Sequence, residues 1–356
     1  MLRAAILVPF LASTVVAKPT TFDGKHDITT VNLTVVYFVP KDRKPLPDWK
    51  DRVEYYASRI AAFHHRELDG ISTIKPAIHP VPLVSEQDTA HFRRGDQNRT
   101  FFDTMDDVKA LLKWKPDQKN GFPVLLVLSD INWRELDDFT RLREVNGKKI
   151  HEGNIAGNGR HFPGAESGGA RATYIANPGY GMGLVSGDGW RVPYAGGSDC
   201  VAYHEGLGHS LGLPHPDPID DTVMGVAQYK FWINEATLNR SQKLKLGWTP
   251  PAKEPDLSRD LFTRFTALQQ PIAPKAGEVV GLSLKWPKDA AVKSFTVRIQ
   301  TKLFDEWKTV VTNVTAKPPD AIPLTKFDAA GPVSYRVNVE LADGQTAEIR
   351  GYFQVK

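Results

Sequence analysis

At 356 residues the chain is long enough for about two domains. Its composition, 41% hydrophobic and 24% charged with mean hydropathy −0.34, excludes both a mostly disordered chain and a polytopic membrane protein. One cysteine excludes an internal disulfide framework, and 45 Lys and Arg against 41 Asp and Glu, a formal +4, is too slight an excess to argue for nucleic acid as a partner.

Residues 1–17 read as an export signal. Arg3 supplies a positive charge, Ala4 to Ala17 is almost wholly apolar, and Val15-Val16-Ala17 places small residues at a cleavage position. A membrane anchor takes about 20 apolar residues, and charge returns too early, at Lys18 and Asp23. The expectation is a secreted or extracytoplasmic protein, periplasmic or at the cell surface, without stable membrane insertion. Four sequons, at Asn32, Asn98, Asn239 and Asn313, decide nothing without a known host.

Residues 31–39 are β-branched and aromatic, the texture of a buried strand. Trp49, Val53, Tyr56, Ile60 and Phe63 then recur at steps of four and three, striping one face of a helix that Gly70 can end. Residues 73–84 supply a second strand, Thr104 to Trp114 a short helix, and Phe122 to Leu128 a third strand apolar on both faces. Asn132 to Arg143 predicts a further helix. The alternation implies a mixed sheet with helices packed on it.

Between Gly153 and Gly197 lie 13 of the 28 glycines, interrupted by one strand-like piece, Arg171 to Ala176. Such loops either insert floppily or frame a cleft, with 171–176 as an edge strand open to a ligand backbone. A Pro- and charge-rich stretch follows Trp248. Beyond it, Val279 to Trp286, Val292 to Thr301, Trp307 to Val314, Pro332 to Leu341 and Gln345 to Val355 alternate apolar and polar residues, and Asp343-Gly344 marks a hairpin turn. The expected fold class is α+β, followed by an all-β sandwich of the immunoglobulin or fibronectin kind. The expected divisions are 1–17 signal, 18–250 catalytic, 251–270 linker or packing segment, and 271–356 sandwich.

The chemistry is concentrated in Ser198 to His215. Ser198 or Asp199 can cap a helix that Gly212 ends, with His204 and His209 on it and His215 just beyond. Three neutral imidazoles could then share one ion and leave a fourth tetrahedral position open. Zinc is the cation this donor set suits; Glu205, next to a ligand, would take the proton of an attacking water. At about 100° per residue, however, positions five apart on an ideal α-helix diverge by about 140°. A π-bulge, eased by Gly206 and Gly208, restores the alignment. A competing register pairs Glu205 with His209 at i and i+4 and makes Glu205 a ligand.

This segment resembles the metzincin metallopeptidases, whose signature is His-Glu-x-x-His-x-x-Gly-x-x-His followed by a methionine turn. It departs by one extra residue between the first two histidines, and a similar His-Glu-x-x-Gly-His occurs in the dipeptidyl peptidase III family. From His209 to His215 the metzincin spacing is met, and Met224, nine residues on, matches the methionine that floors the metal site. The resemblance covers roughly residues 30–250 and implies a metzincin-like sheet with an active-site helix, zinc held by His204, His209 and His215, Glu205 as general base, and protein or peptide as substrate.

Two other readings stay open. In gluzincins the third ligand is a glutamate on a later helix, a place Glu235 could fill. Alternatively the chain is a catalytically silent, metal-stabilised binding protein, whose sandwich contacts polysaccharide or the cell surface. Cys200, one turn before His204, reads as a buried small residue. Asp217, Asp220 and Asp221 fit calcium or a solvated turn, the turn being commoner. Tyr229 is a candidate oxyanion donor, and His151 and His161 read as exposed.

Overall fold

The computed structural model describes residues 18–136, 138–139, 141–146, 148–152, 169–194, 198–313 and 318–356. The export-signal reading of residues 1–17 and the reading of His161 lie outside them. Among the described residues, no helix is long and apolar enough to cross a membrane.

The fold class is α+β, with a mixed sheet preceding antiparallel ones. Strand β1 (Thr30–Val39) leads to helix α1 (Trp49–Glu67), then β2 (Thr73–Ile78), β3 (Leu83–Val84), the short helix α2 (Thr89–Phe92), α3 (Gln97–Leu112) and β4 (Phe122–Ser129). A hairpin, β5 (Arg141–Val145) and β6 (Lys148–Glu152), stands apart from β7 (Ala170–Ile175) and β8 (Tyr180–Val185). The main sheet runs β2-β1-β4-β8-β7, with β3 beside β1, and only β7 is antiparallel to its neighbour.

The apolar stripe on α1 behaves as its spacing requires. Val53, Tyr56, Ile60 and Phe63 are fully buried in one core with Leu33, Val35 and, from the histidine-bearing segment, Tyr203 and Leu207. Each such side chain contributes about 1.5–3 kcal/mol of burial. A second core fills the opposite face of the sheet with Val36, Phe38, Phe101, Met105 and Leu125. Strand β4 is therefore buried on both faces, as its unbroken apolar run predicts.

Two expectations need correction. Residues 132–143 do not continue as a helix: 141–145 form β5, paired with β6 through Val145↔Lys148. Asn146 takes φ 52°, the left-handed turn that an Asn-Gly sequence favours in hairpins. The helix expected from Thr104 starts earlier, at Gln97, because Asp96 Oδ1 accepts from the Arg99 backbone N–H at 3.0 Å and caps it.

After the histidine-bearing segment come α6 (Arg240–Lys245), α7 (Leu261–Arg264) and β9 (Thr266–Gln270). The last residues of 251–270 are thus strand. It joins β10 (Val279–Lys285) and β13 (Ala321–Lys326) in one sheet; β11 (Val292–Gln300), β12 (Lys308–Asn313), β14 (Gly331–Leu341) and β15 (Thr346–Val355) form the other. Their inward faces, including Leu282, Val297, Tyr335 and Phe353, make the core of a β-sandwich. Strand β13 is additional to the five expected from sequence, since Pro323 interrupts it and it carries no clean alternation there.

The sandwich is bolted to α1. Arg350 Nη2 meets Asp51 Oδ2 at 2.9 Å, Arg52 Nη2 donates to Gln300 Oε1 at 2.7 Å, and Trp307 Nε1 donates to Asp48 Oδ2 at 2.7 Å.

Candidate metal centre

A helix beginning with α5 (Ser198–Tyr203) widens into a π-helix over His204–Gly208, tightens to a 3-10 turn over His209–Leu211, and ends at Gly212 with φ 85°. The His209 backbone N–H donates to the His204 carbonyl, five residues back, so the wide turn closes between the two histidines that need it. Glycines permit this. A Cβ on Gly206 would stand 2.8 Å from Leu126 Cδ1, and one on Gly208 would stand 2.3 Å from Met224 Sδ. Gly206 thus seats the helix on the sheet, and Gly208 seats it on the methionine.

His204, His209 and His215 converge. Their Nε2 atoms form a triangle with sides of 2.9 Å (His204–His209), 3.0 Å (His204–His215) and 3.1 Å (His209–His215). His204 Nδ1 lies 3.0 Å from the Val223 carbonyl and His209 Nδ1 lies 2.7 Å from the Leu213 carbonyl. A carbonyl only accepts, so both Nδ1 atoms carry the proton and both Nε2 atoms present lone pairs to each other. Lone pairs facing at such distances repel unless a cation lies among them, and three imidazole nitrogens on one side are a donor set that suits zinc. Burial holds His204 and His209 below the usual imidazole range, and neighbouring histidines add to the effect, so the neutral, ligating form is favoured.

Glu205 lies beside this triangle. Burial pushes its carboxyl up to about 7, opposed by the Ala172 backbone N–H that it accepts from and by the Arg171 guanidinium. Both opposing groups belong to β7, the edge strand. The cleft, about 320 Å³, is lined by His204, Glu205 and His215 together with Trp133, Ala170, Asp188, Gln228 and Tyr229. Met224 is fully buried under the helix. Cys200 is likewise buried, its Sγ donating to the Phe231 carbonyl at 3.4 Å.

Among the described residues, the one group of three or more His, Cys, Asp or Glu able to share an ion is His204, His209 and His215. Glu205 is not in it, and neither is Glu235, which faces a separate groove lined by Arg66, Lys285 and Trp286.

Sequence reasoning passed over Gly181 and Gly183 on β8. A Cβ on Gly183 would meet the Glu205 carbonyl oxygen, and one on Gly181 would meet Ser210 Cβ at 2.4 Å. Glycine at every second strand position puts both on one face, which is a legible sign that another backbone crosses there. Trp133 carried no comparable signal, since the loop that brings it to the cleft has no periodicity.

No protein-family profile and no curated protein matches the chain. Among solved structures, wild-type OgpA from Akkermansia muciniphila aligns over 98% of this chain and 97% of its own, at 13% identity and a TM-score of 0.30. CopC from Methylosinus trichosporium OB3b aligns over 26% of this chain and 93% of its own at 20% identity and 0.20. An LPMO from Kitasatospora papulosa aligns over 33% and 59% at 12% identity and 0.20. At such scores the chemistry is argued from the site's own residues.

Proposed function

We propose that the protein is a secreted zinc-dependent endopeptidase of metzincin-like build, with protein or peptide as substrate. The single observation that carries the reading is the convergence of the three histidine Nε2 atoms, two of them presenting lone pairs, beside a glutamate in an open cleft. A zinc ion bound there would keep an open coordination position, polarise a peptide carbonyl and acidify water toward neutrality.

The chain's own residues supply the remainder. Glu205, as a carboxylate, takes a proton from the attacking water and returns it to the departing amine nitrogen. Ala172 N–H fixes that carboxylate toward the edge strand. Flanking positions of β7 can pair with a substrate backbone laid along the cleft, since the strand's outer edge faces no other strand among the described residues. Met224 packs beneath the helix and keeps the two helical histidines from sinking.

The test combines metal content with turnover. Purified protein should hold one zinc per chain and cleave casein or a mixed peptide library, and a chelator should abolish cleavage. Glu205→Gln should keep the zinc and lose about 10²- to 10⁴-fold in kcat. His215→Ala should lose zinc, while Glu235→Ala should retain it. Chelator-resistant cleavage, or full activity in Glu205→Gln, would overturn the reading.

A further inference from the structure

Asp220 stands at the entry of the loop that carries Met224. Its Oδ1 accepts from the Thr222 backbone N–H at 3.0 Å and from the Thr222 hydroxyl at 2.6 Å, and its Oδ2 accepts from Asn239 Nδ2 at 3.0 Å. Both oxygens therefore face hydrogens supplied by the protein, an arrangement that suits a turn and opposes a cation. Burial pushes this carboxyl up, but the bonds from Asn239 and Thr222 outweigh it and hold the group below the usual carboxylate range.

The main chain closes the same loop. The Asp220 carbonyl accepts from the Val226 N–H at 2.9 Å, crossing Gly225, where a Cβ would stand 2.1 Å from that oxygen. From this closed loop two contacts reach the histidine-bearing helix: the Val223 carbonyl on His204 Nδ1, and Met224 Sδ against Gly208. At its other end the clasp is anchored. Asn239 is the N-cap of α6, where its side chain accepts from the Gln242 N–H at 2.8 Å and Gln242 Oε1 accepts from the Asn239 N–H at 3.1 Å.

We propose that Asp220 is a positioning residue of the metal centre: by clasping the Met224 loop to the N-cap of α6, it holds the Val223 carbonyl that selects the metal-ready tautomer of His204. The inference rests on the zinc reading of the three histidines and extends it to a residue that touches none of them. If the loop drifts, the His204 Nδ1–H loses its acceptor, and the proton is free to move to Nε2, where it blocks the ligating lone pair. Losing a direct outer partner of a ligand typically costs about 10- to 100-fold in metal affinity. Acting one link further out, Asp220 stands at the lower end of that range.

The contact can be inverted chemically. Asp220→Asn removes the acceptor for Asn239 Nδ2. Combining it with Asn239→Asp reverses donor and acceptor across the same gap, and still leaves a carboxylate to cap α6. Zinc affinity is measured by competition with a chromophoric chelator at a temperature where each variant is folded, with Tm and the visible spectrum of the cobalt-loaded protein recorded beside it.

Asp220→Asn should weaken zinc about tenfold and alter the cobalt spectrum, and the double variant should return to within about threefold of the parent. A single variant indistinguishable from the parent overturns the role of Asp220, as does a double variant whose Tm recovers while its zinc affinity does not. Either leaves the histidine site standing. A parent protein that binds no zinc overturns the site and this inference together.

Discussion

A Cβ placed on Gly183 would stand 2.2 Å from the carbonyl oxygen of Glu205 and 2.8 Å from Gly206 Cα. The strand β8 and the π-turn are thus in backbone contact, with no side chain between them. Gly183→Ala forces the π-turn away from the sheet, because neither partner is a side-chain tip that can rotate aside. We expect a loss of about 1–3 kcal/mol from overpacking, with zinc affinity falling in parallel. Gly331→Ala, at a position where the added carbon meets nothing within 4 Å beyond its own chain neighbours, is the control. Urea melts and zinc titration on both variants check it, and a Gly183→Ala protein that behaves like the control refutes the contact.

That contact marks the boundary of what the sequence discloses. The candidate metal centre is legible because its parts are local: His204, Glu205, His209 and Gly212 lie on one helical run, and the spacing of the first two histidines itself demands the wider turn that the structure contains. The central strands and α1 are legible for the same reason, since burial imposes a period of two or three to four on nearby residues. What is not legible depends on pairs far apart in the chain. Asp199 and Arg59 are 140 positions apart, and no periodicity links a helix on one side of the sheet to the cap region of another. The hairpin at 141–152 fails differently, because its short strands are polar and its apolar residues mimic a helical step. Sequence alone could not separate Glu235 from the histidines, because only the folded chain sets it in a groove apart from them.

His64 predicts a pH dependence of stability that is independent of the metal site. Its Nε2 lies 2.7 Å from Ser72 Oγ, and Ser72 donates its own hydrogen to the Ile28 carbonyl, so His64 Nε2 is the donor and Nδ1 accepts from the Tyr203 hydroxyl at 3.2 Å. Burial, with a smaller contribution from His65, pushes this imidazole down to about 3. The unfolded chain takes up the proton below about 6.5 while the folded chain stays neutral to about 3, so the stability His64 contributes is complete above the unfolded value and is lost as pH falls toward the folded one. In His64→Gln the new amide keeps a donor toward Ser72 and an acceptor toward Tyr203 but does not titrate. With chelator present throughout, the parent should lose about 2–3 kcal/mol more than His64→Gln between about pH 7 and pH 4.5. Equal slopes in the two proteins would remove His64 as the source.

Met224 offers a test of the floor beneath the helix. It is fully buried, and its sulfur occupies the space that Gly208 leaves open. Met224→Ala leaves a cavity there and should cost about 2–5 kcal/mol, whereas Met224→Leu, close to conserving volume, should cost under about 1.5 kcal/mol. On the proposed zinc reading, in which the sulfur packs against Gly208 and is not a ligand, Met224→Leu should retain zinc stoichiometry and most of its turnover. Loss of the metal in Met224→Leu would require the sulfur itself to act on the ion.

Asp199 and Arg59 tie the histidine-bearing helix to the sandwich. Arg59 Nε donates to Asp199 Oδ2 at 2.7 Å, Arg59 Nη2 donates to Asn234 Oδ1, and Asn234 Nδ2 donates to the Phe265 carbonyl at 3.0 Å. Both charged side chains are almost wholly buried. Removing the carboxylate leaves a desolvated guanidinium with only neutral acceptors, so Asp199→Ala should cost about 3–5 kcal/mol. Replacing both members, as Arg59→Met with Asp199→Leu, removes the stranded charge and should cost less than the sum of the single changes, by roughly 1–3 kcal/mol in a double-mutant cycle. The same chain of bonds makes the sandwich part of the support for that helix, since Asn234 bridges the Arg59 guanidinium to the segment entering β9. A chain ending at residue 260 exposes the Trp232 side of that junction and strands Asn234, so it should be recovered insoluble or with weakened zinc binding. Full-strength zinc binding by a soluble shortened chain would show that the sandwich bears no load at the site.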